Sequence, residues 1–196
     1  MPKMRRSAVR VVLLLLALAT ASCGPAIRVY VNPEADLAFY KKIAVLPFED
    51  MSGNPMAGKR VGRAFVTELI MTNRYQVIQP EEFGTTLNRM GIFKGQDGVY
   101  DSEKLKGAAV QMGVSGIIRG AVSEYQMFRG EGGDTPVIAF DAELLDVATG
   151  NVVWRSSISK RGKGRISIVG GGIRSLGRLT QEACVDMVAQ LRKDAL

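Results

Sequence analysis

The chain has 196 residues, of which 46% are hydrophobic, with 26 basic and 19 acidic residues. This apolar content is enough to build a core and excludes a globally disordered chain. The complete absence of histidine removes the commonest proton-transfer base and the commonest metal ligand, so we predict no metal site, no cofactor and no catalytic residue.

The first 22 residues have the anatomy of a secretory signal. Basic residues precede an apolar or small run from Val11 to Ala21, and Ser22 and Cys23 follow. A transmembrane helix needs about 20 consecutive apolar residues, and this run is shorter. We therefore predict a signal peptide over residues 1–22, cleaved between Ser22 and Cys23. Four basic residues lie in that segment, which leaves 22 basic and 19 acidic residues and little reason to expect nucleic-acid binding.

The cleavage region also resembles the lipobox of bacterial lipoproteins. Ala21 and Ser22 match that pattern before Cys23, whereas Thr20 stands where Leu is usual. The resemblance implies that Cys23 carries lipid and anchors the mature chain to a membrane. Gly24 is not the Asp that signals inner-membrane retention, so it also implies the outer membrane, with the chain facing the periplasm. An ordinary cleaved signal with a chance cysteine is the alternative.

After the signal, the pattern predicts a lipidated tether over residues 23–41 and one domain over residues 42–196. Alternation at residues 27–32 allows a short edge strand within the tether. The domain is predicted as α/β (α+β), a mixed sheet packed against helices in the order β-α-β-α-α-β-β-β-α. The predicted elements are a strand at Lys42–Phe48, a helix at Ala57–Thr72, a strand at Tyr75–Ile78, a helix from Pro80 to about Arg89, a helix capped by Asp101 or Ser102 and closed by Gly113, strands at Gly116–Phe128, Pro136–Val147 and Asn151–Lys160, and a terminal helix from Leu176 to Leu191.

The segment from Gly53 to Lys59 spells G-x-x-x-x-G-K between a strand and a helix. A phosphate-binding loop needs Ser or Thr next, to hold magnesium, but Arg60 stands there. Pro55 also removes one N–H from the phosphate cradle. We therefore favour a punctuated loop followed by a helix with solvated basic residues, and keep nucleotide hydrolysis as a weak alternative.

Other polar residues predict structural roles. Adjacent Glu81 and Glu82 suit the first turn of a helix. Asp141 and Glu143 share one face of a strand, which we interpret as a solvated sheet face. Cys184 is predicted to be a buried apolar residue, since no histidine supports a reactive thiol. Trp154 is predicted to pack against the sheet. The basic run from Lys160 to Arg165 is interpreted as a solvated loop, with contact to lipid headgroups or glycan as the alternative.

Several segments together resemble the CsgG-type lipoproteins, the group that contains the curli secretion channel subunit and related penicillin-binding-protein activators and flagellar lipoproteins. The matching stretches are Ile43–Phe48, Phe65–Ile70 with Tyr75–Ile78, Met112–Gly120, Val122–Tyr125 and Leu144–Trp154. The resemblance implies a periplasmic α/β domain that acts through protein contacts without catalysis.

The curli channel inserts two β-hairpins into the membrane, and the equivalent intervals here are Gln126–Val137 and Gly162–Ser175. A spanning hairpin needs two strands of about 9–11 residues with alternating apolar faces, so we predict no transmembrane β-hairpins. The first hypothesis is therefore a scaffold or activator that binds another protein in cell-envelope assembly or secretion, with the sheet edges and the Gly162–Gly172 loop as candidate contact surfaces. The second is a ring-forming subunit, a homo-oligomer, of a curli-like secretion apparatus.

Overall fold

The computed structural model describes residues 26–96, 98–130, 133–162 and 175–196. Across these residues, seven strands and four helices form one α+β domain with an open, mixed sheet, as predicted. The strands are β1 (Ala26–Val31), β2 (Lys42–Val45), β3 (Glu49–Asp50), β4 (Gln76–Ile78), β5 (Gly116–Phe128), β6 (Thr135–Asp146) and β7 (Val152–Arg161). The helices are α1 (Ala57–Met71), α2 (Pro80–Arg89), α3 (Ser102–Gln111) and α4 (Leu176–Asp194), and a short 3-10 turn covers Leu37–Phe39.

The strand order is β1-β7-β6-β5-β2-β4, and β3 pairs with β5 farther along the same edge that β2 occupies. β5, β6 and β7 form an antiparallel meander, while β2 pairs in parallel with both β4 and β5. The turn from β6 to β7 contains Gly150 at φ 78°, a left-handed conformation that glycine adopts without strain. Two edges of the sheet are left open among the described strands, one on β1 and one on β4.

The helix ends follow the capping residues predicted from the sequence. Asp101 caps α3 by accepting a hydrogen bond from the backbone N–H of Lys104, at 2.9 Å. α2 begins at Pro80, and Glu81 and Glu82 occupy its first turn, where negative charge interacts favourably with the helix dipole.

Helices pack on both faces of the sheet and create two hydrophobic clusters. α1 and α4 cover the first face over β5, β6 and β7, and this larger cluster includes Trp154, Phe65 and Phe140, all almost fully buried. α2 and α3 cover the second face over β2 and the beginning of β5, with Phe83 and Leu87 at the centre of the smaller cluster.

The sheet includes part of the segment that the sequence pattern assigned to the tether. β1 pairs with β7 over its whole length, from Ala26 opposite Ser159 to Val31 opposite Trp154. Ile27 and Val31 pack against the larger core. The sequence pattern allowed a strand here. Because this strand belongs to the sheet, only residues 24 and 25 lie between the predicted lipid attachment at Cys23 and the folded sheet.

The second face of β6, β7 and β1 has no described helix over it. Ser157 and Ser159 of β7 and Arg28 and Tyr30 of β1 are exposed on this face. Within the described ranges, none of the helices has the length and apolar composition needed to span a membrane. Residues 163–174, which contain most of the glycine-rich loop singled out as a contact surface, lie outside the described residues.

Candidate functional site

A groove of about 320 Å³ opens on the uncovered part of the second sheet face. Its floor is formed by side chains of β5, β6 and β7. Its walls are β3 with the preceding Leu46 and Pro47 on one side, and residues of the α2–α3 connection, including Lys94 and Tyr100, on the other. The groove therefore combines a charged floor with a partly apolar rim.

Three charged residues lie opposite one another across the floor. Arg119 of β5, Glu143 of β6 and Arg155 of β7 are direct register partners. Arg119 donates from Nε to one carboxylate oxygen of Glu143, and Arg155 Nη1 lies 3.6 Å from the other. The Glu143 side chain is only 7% exposed, while the two arginines are 50% and 58% exposed. A carboxylate so deeply buried needs both cations, because an unpaired buried charge is costly.

Asp141, two residues along β6, is much less well paired. Its nearest described cation is Arg155, whose Nη2 lies 3.8 Å from the carboxylate. Desolvation by burial raises the pKa of Asp141, the negative charges of Glu143 and Glu49 add to that rise, and Arg155 only partly opposes it. The groove thus holds one carboxylate whose negative charge is poorly compensated by the described residues.

Close backbone packing fixes the floor from behind. At Gly120, between Arg119 and Ala121, a Cβ would lie 2.5 Å from the carbonyl oxygen of Asp141 and 2.7 Å from the ring of Phe48. Only glycine lets Phe48 approach the sheet so closely. The charged floor therefore rests on a rigid, closely packed layer.

The sequence pattern grouped Asp141 and Glu143 correctly on one face, but the expectation that this face is solvated is wrong for Glu143. That residue is 5% exposed, and Arg119 and Arg155 on the two neighbouring strands pair with its carboxylate. Arg119 and Arg155 were not singled out from the sequence. Counting outward from the β6–β7 turn would have placed Trp154 opposite Glu143, because a register shift between Leu144 and Leu145, which the sequence does not reveal, brings Arg155 to that position.

The phosphate-loop resemblance falls on the beginning of α1, and the position that a phosphate would take is occupied. The Asp50 carboxylate accepts hydrogen bonds from the backbone N–H of Ala57, at 3.0 Å, and from Ser52. Desolvation raises the pKa of Asp50, but hydrogen bonds from Ser52, Gly58 and Ala57 outweigh it and hold that pKa below its usual value. Lys59 is exposed, as predicted for a solvated basic residue.

Two further predictions of burial are confirmed. Cys184 is fully buried between α1 and α4, and burial raises the pKa of its thiol. Trp154 is fully buried, and its indole N–H donates to Asp194 at 3.0 Å. Among the described residues no group of His, Cys, Asp and Glu is arranged to hold a metal ion. Ser22 and Cys23, the predicted cleavage and lipid-attachment residues, lie outside the described residues.

No protein-family model matches the chain, and no curated protein sequence matches it. Solved structures do share its fold. The PelC dodecamer from Paraburkholderia phytofirmans is 18% identical, with a TM-score of 0.59 over 86% of this chain and 97% of that chain. Lipoprotein GNA1162 from Neisseria meningitidis is 20% identical, with a TM-score of 0.55 over 76% of this chain and 99% of that chain. At these identities the likeness establishes the fold alone.

Proposed function

We propose that this protein is a lipid-anchored accessory protein of the bacterial envelope, which acts by binding another envelope protein and not by catalysis. Its anchor is the lipid on Cys23, and its domain faces the periplasm from the outer membrane. The signal anatomy supports the export and the anchor. A fold shared with a lipoprotein of Neisseria meningitidis and the segments similar to the CsgG-type family agree with this assignment.

The groove over Arg119, Glu143 and Arg155 is the observation that supports protein binding. Its rim includes exposed Met51, 71% accessible, and its floor presents half-exposed cations beside the poorly paired Asp141. An apolar rim around a floor of both charges suits a polypeptide segment with charged side chains, because charge complementarity sets the register of such contacts. We assign the groove to a partner segment that places a basic side chain on Asp141.

The same residues argue for a non-catalytic role. Both carboxylate oxygens of Glu143 are engaged by arginines, and the described lining contains no Ser, Thr or Cys nucleophile. Nucleotide hydrolysis is also disfavoured, because Asp50 already uses the N–H groups that would bind phosphate.

Site-specific photo-crosslinking in cells tests the docking assignment. A photoreactive residue at Ala121, on the groove floor, is expected to give a discrete crosslinked product that disappears in Asp141→Lys. The control position is Arg178, exposed on α4, which is expected to give no such product. The same product from both positions, or a product unaffected by Asp141→Lys, would rule out the groove as the docking site.

A ring-forming subunit is the second candidate, because a protein of the same fold forms a dodecamer and because, among the described strands, β1 and β4 both leave open edges. Contact between two different edges is heterologous, and such contacts generate rings when the rotation closes. Size measurement on the chain from Gly24 onward separates the candidates. A discrete large ring supports the second candidate, and a monomer supports the first.

A further inference from the structure

The first strand brings the predicted anchor to one end of the sheet. One row of register partners crosses the four strands at this end. It runs from Ala26 of β1 through Ser159 of β7 and Ala139 of β6 to Glu124 of β5. β5, β6 and β7 all continue past this row, toward Phe128, Thr135 and Arg161. The chain therefore enters the sheet beside the end at which β5 and β6 are joined.

The distance available to the anchor is short. Ala26 is the third residue after Cys23, and a fully extended chain covers at most about 11 Å over three residue steps. Pro136 lies three residues beyond Ala139 along β6, which is about 10 Å at the rise of a strand, and it pairs with Met127 of β5. A lipid on Cys23 therefore keeps this end of the sheet close to the membrane, within a reach that extends to the level of Met127.

This end of the sheet carries apolar and cationic side chains that are accessible to a membrane. We define the hairpin-end patch as Met127, Phe128, Arg129 and Arg161. Met127 is 40% exposed and Phe128 is 50% exposed, although both lie at the end of a 13-residue strand whose first half is largely buried. The guanidinium of Arg161 lies 4.7 Å from the centre of the Phe128 ring, which keeps the cation and the aromatic ring together.

We propose that the hairpin-end patch rests in the headgroup region of the bilayer that carries the anchor, and that its ligand is an anionic phospholipid surface. Phe and Met side chains favour the boundary between headgroups and acyl chains, and arginines beside them attract anionic headgroups. Asp134 and Glu124 are the described carboxylates nearby. Lys160 adds little free charge because it is paired with Asp186. The proposal rests on the lipidation of Cys23 that the proposed function includes.

The hairpin-end patch also orients the domain, which attachment through one residue does not do. A protein contact surface of two apolar and two cationic side chains fixes the orientation of the domain as well as its distance. The groove over Arg119 and Glu143 then opens sideways, about 23 Å from the level of Met127, since Glu143 lies seven residues farther along β6 than Pro136.

An environment-sensitive fluorophore on an introduced cysteine tests the proposal in the lipidated full chain. Native Cys184 is fully buried and does not compete for label in the folded protein. Phe128→Cys reports on the patch. Phe39→Cys is the matched control, because Phe39 is 63% exposed and lies next to Tyr40, which bonds to Asp146 at the far end of β6.

The labelled proteins are reconstituted into vesicles of phosphatidylethanolamine and phosphatidylglycerol that contain a headgroup-nitroxide lipid. We expect emission at shorter wavelength and strong quenching for the label at position 128, and water-like, unquenched emission for the label at position 39. Equal, water-like emission at both positions would overturn the proposal. With phosphatidylcholine alone the signal at position 128 should fall, and an unchanged signal would overturn the assignment to anionic headgroups.

Two measurements separate this proposal from the function on which it rests. Mass spectrometry of the N-terminal peptide reports whether Cys23 carries lipid, and flotation reports whether the protein is bound to vesicles. If Cys23 lacks lipid, the anchoring function is wrong and the membrane orientation falls with it. If the chain is lipidated and floats but the label at position 128 remains in water, anchoring stands and the hairpin-end patch does not touch the membrane.

Discussion

The substitution Gly58→Ala distinguishes the two explanations for the G-x-x-x-x-G-K segment. Gly58 is the second residue of α1, and a Cβ added there would lie 2.3 Å from the backbone carbonyl oxygen of Phe48. Because that oxygen belongs to the backbone, it cannot rotate away as a flexible side chain could. The structure therefore explains Gly58 by close packing of the helix on the chain after β2, with no need for a bound phosphate.

The magnitude follows from two opposed effects. Relief of the contact requires α1 to move outward by about 0.7 Å or more, and Val61, Phe65 and Leu69 on the same helix are fully buried, so the movement disturbs the larger core. Overpacking of this kind costs about 1–3 kcal/mol. Alanine is a better helix former than glycine by about 1 kcal/mol in a helix interior, and by less in the first turn. We expect a net loss of about 1–2 kcal/mol in the free energy of unfolding.

Gly84→Ala and Gly107→Ala are the matched controls. Both glycines lie inside helices, α2 and α3, and a Cβ at either meets no atom within 4 Å. Each control should therefore gain about 0.5–1 kcal/mol from helix propensity alone. Urea denaturation followed by circular dichroism measures all three, with the m-value as the check that the unfolded states are comparable.

Gly58→Ala is expected to lower the free energy of unfolding, and the two control substitutions are expected to raise it. If Gly58→Ala is as stable as the parent protein, α1 does not pack on Phe48 as described. If all three variants lose stability alike, glycine at these positions contributes something other than close approach. Nucleotide binding that disappears in Gly58→Ala while stability is retained would restore the phosphate-loop explanation.

Three further outcomes can be measured on the purified protein. The pKa of Asp141 is raised in the folded state, so its contribution to stability is present below the unfolded pKa of about 3.9 and is lost as pH rises through the folded pKa. Asp141→Asn should remove that loss. The denaturation midpoint of this variant, relative to that of the parent protein, should therefore increase from acidic to neutral pH. The pKa of Asp146 is lowered in the folded state, because hydrogen bonds from Thr149 and Tyr40 outweigh desolvation. Asp146→Asn should therefore destabilise the protein at neutral pH. The difference in stability between this variant and the parent protein should shrink as pH falls through the folded pKa. Trp154 is the only tryptophan and is fully buried, so native fluorescence should resist acrylamide, and efficient quenching would show that α4 does not cover β7.

Local sequence patterns predict most of the elements because their ends are marked by residues with local effects. The strand Gly116–Phe128 was predicted with the bounds that the structure gives, since a long apolar run begins after a helix that Gly113 closes at φ 65°. The helix from Pro80 was predicted for the same kind of reason, with proline at its first position. In both cases the determinants lie within a few residues of the element.

Long-range pairing is what the local pattern could not supply. The alternation at Ile27, Val29 and Val31 is consistent with any edge strand, and nothing within these residues specifies β7, more than 120 residues later, as the partner. The burial of Glu143 depends on the same kind of information, because it requires Arg119 and Arg155 on the two neighbouring strands. The groove was missed for that reason, and the register shift between Leu144 and Leu145 would have misaligned a simple count along the hairpin by one residue.

The pairing of β1 with β7 changes the mechanics of the proposed function. A tether of 19 residues would allow a lipid-anchored domain to reach several tens of ångströms from the membrane and to turn freely, since an extended chain covers about 3.3–3.6 Å per residue. With β1 in the sheet, only residues 23–25 remain, so the domain is confined near the bilayer. A partner segment that docks over Asp141 must then be presented close to the membrane surface. This requirement favours a partner that is itself attached to the membrane or lies directly against it.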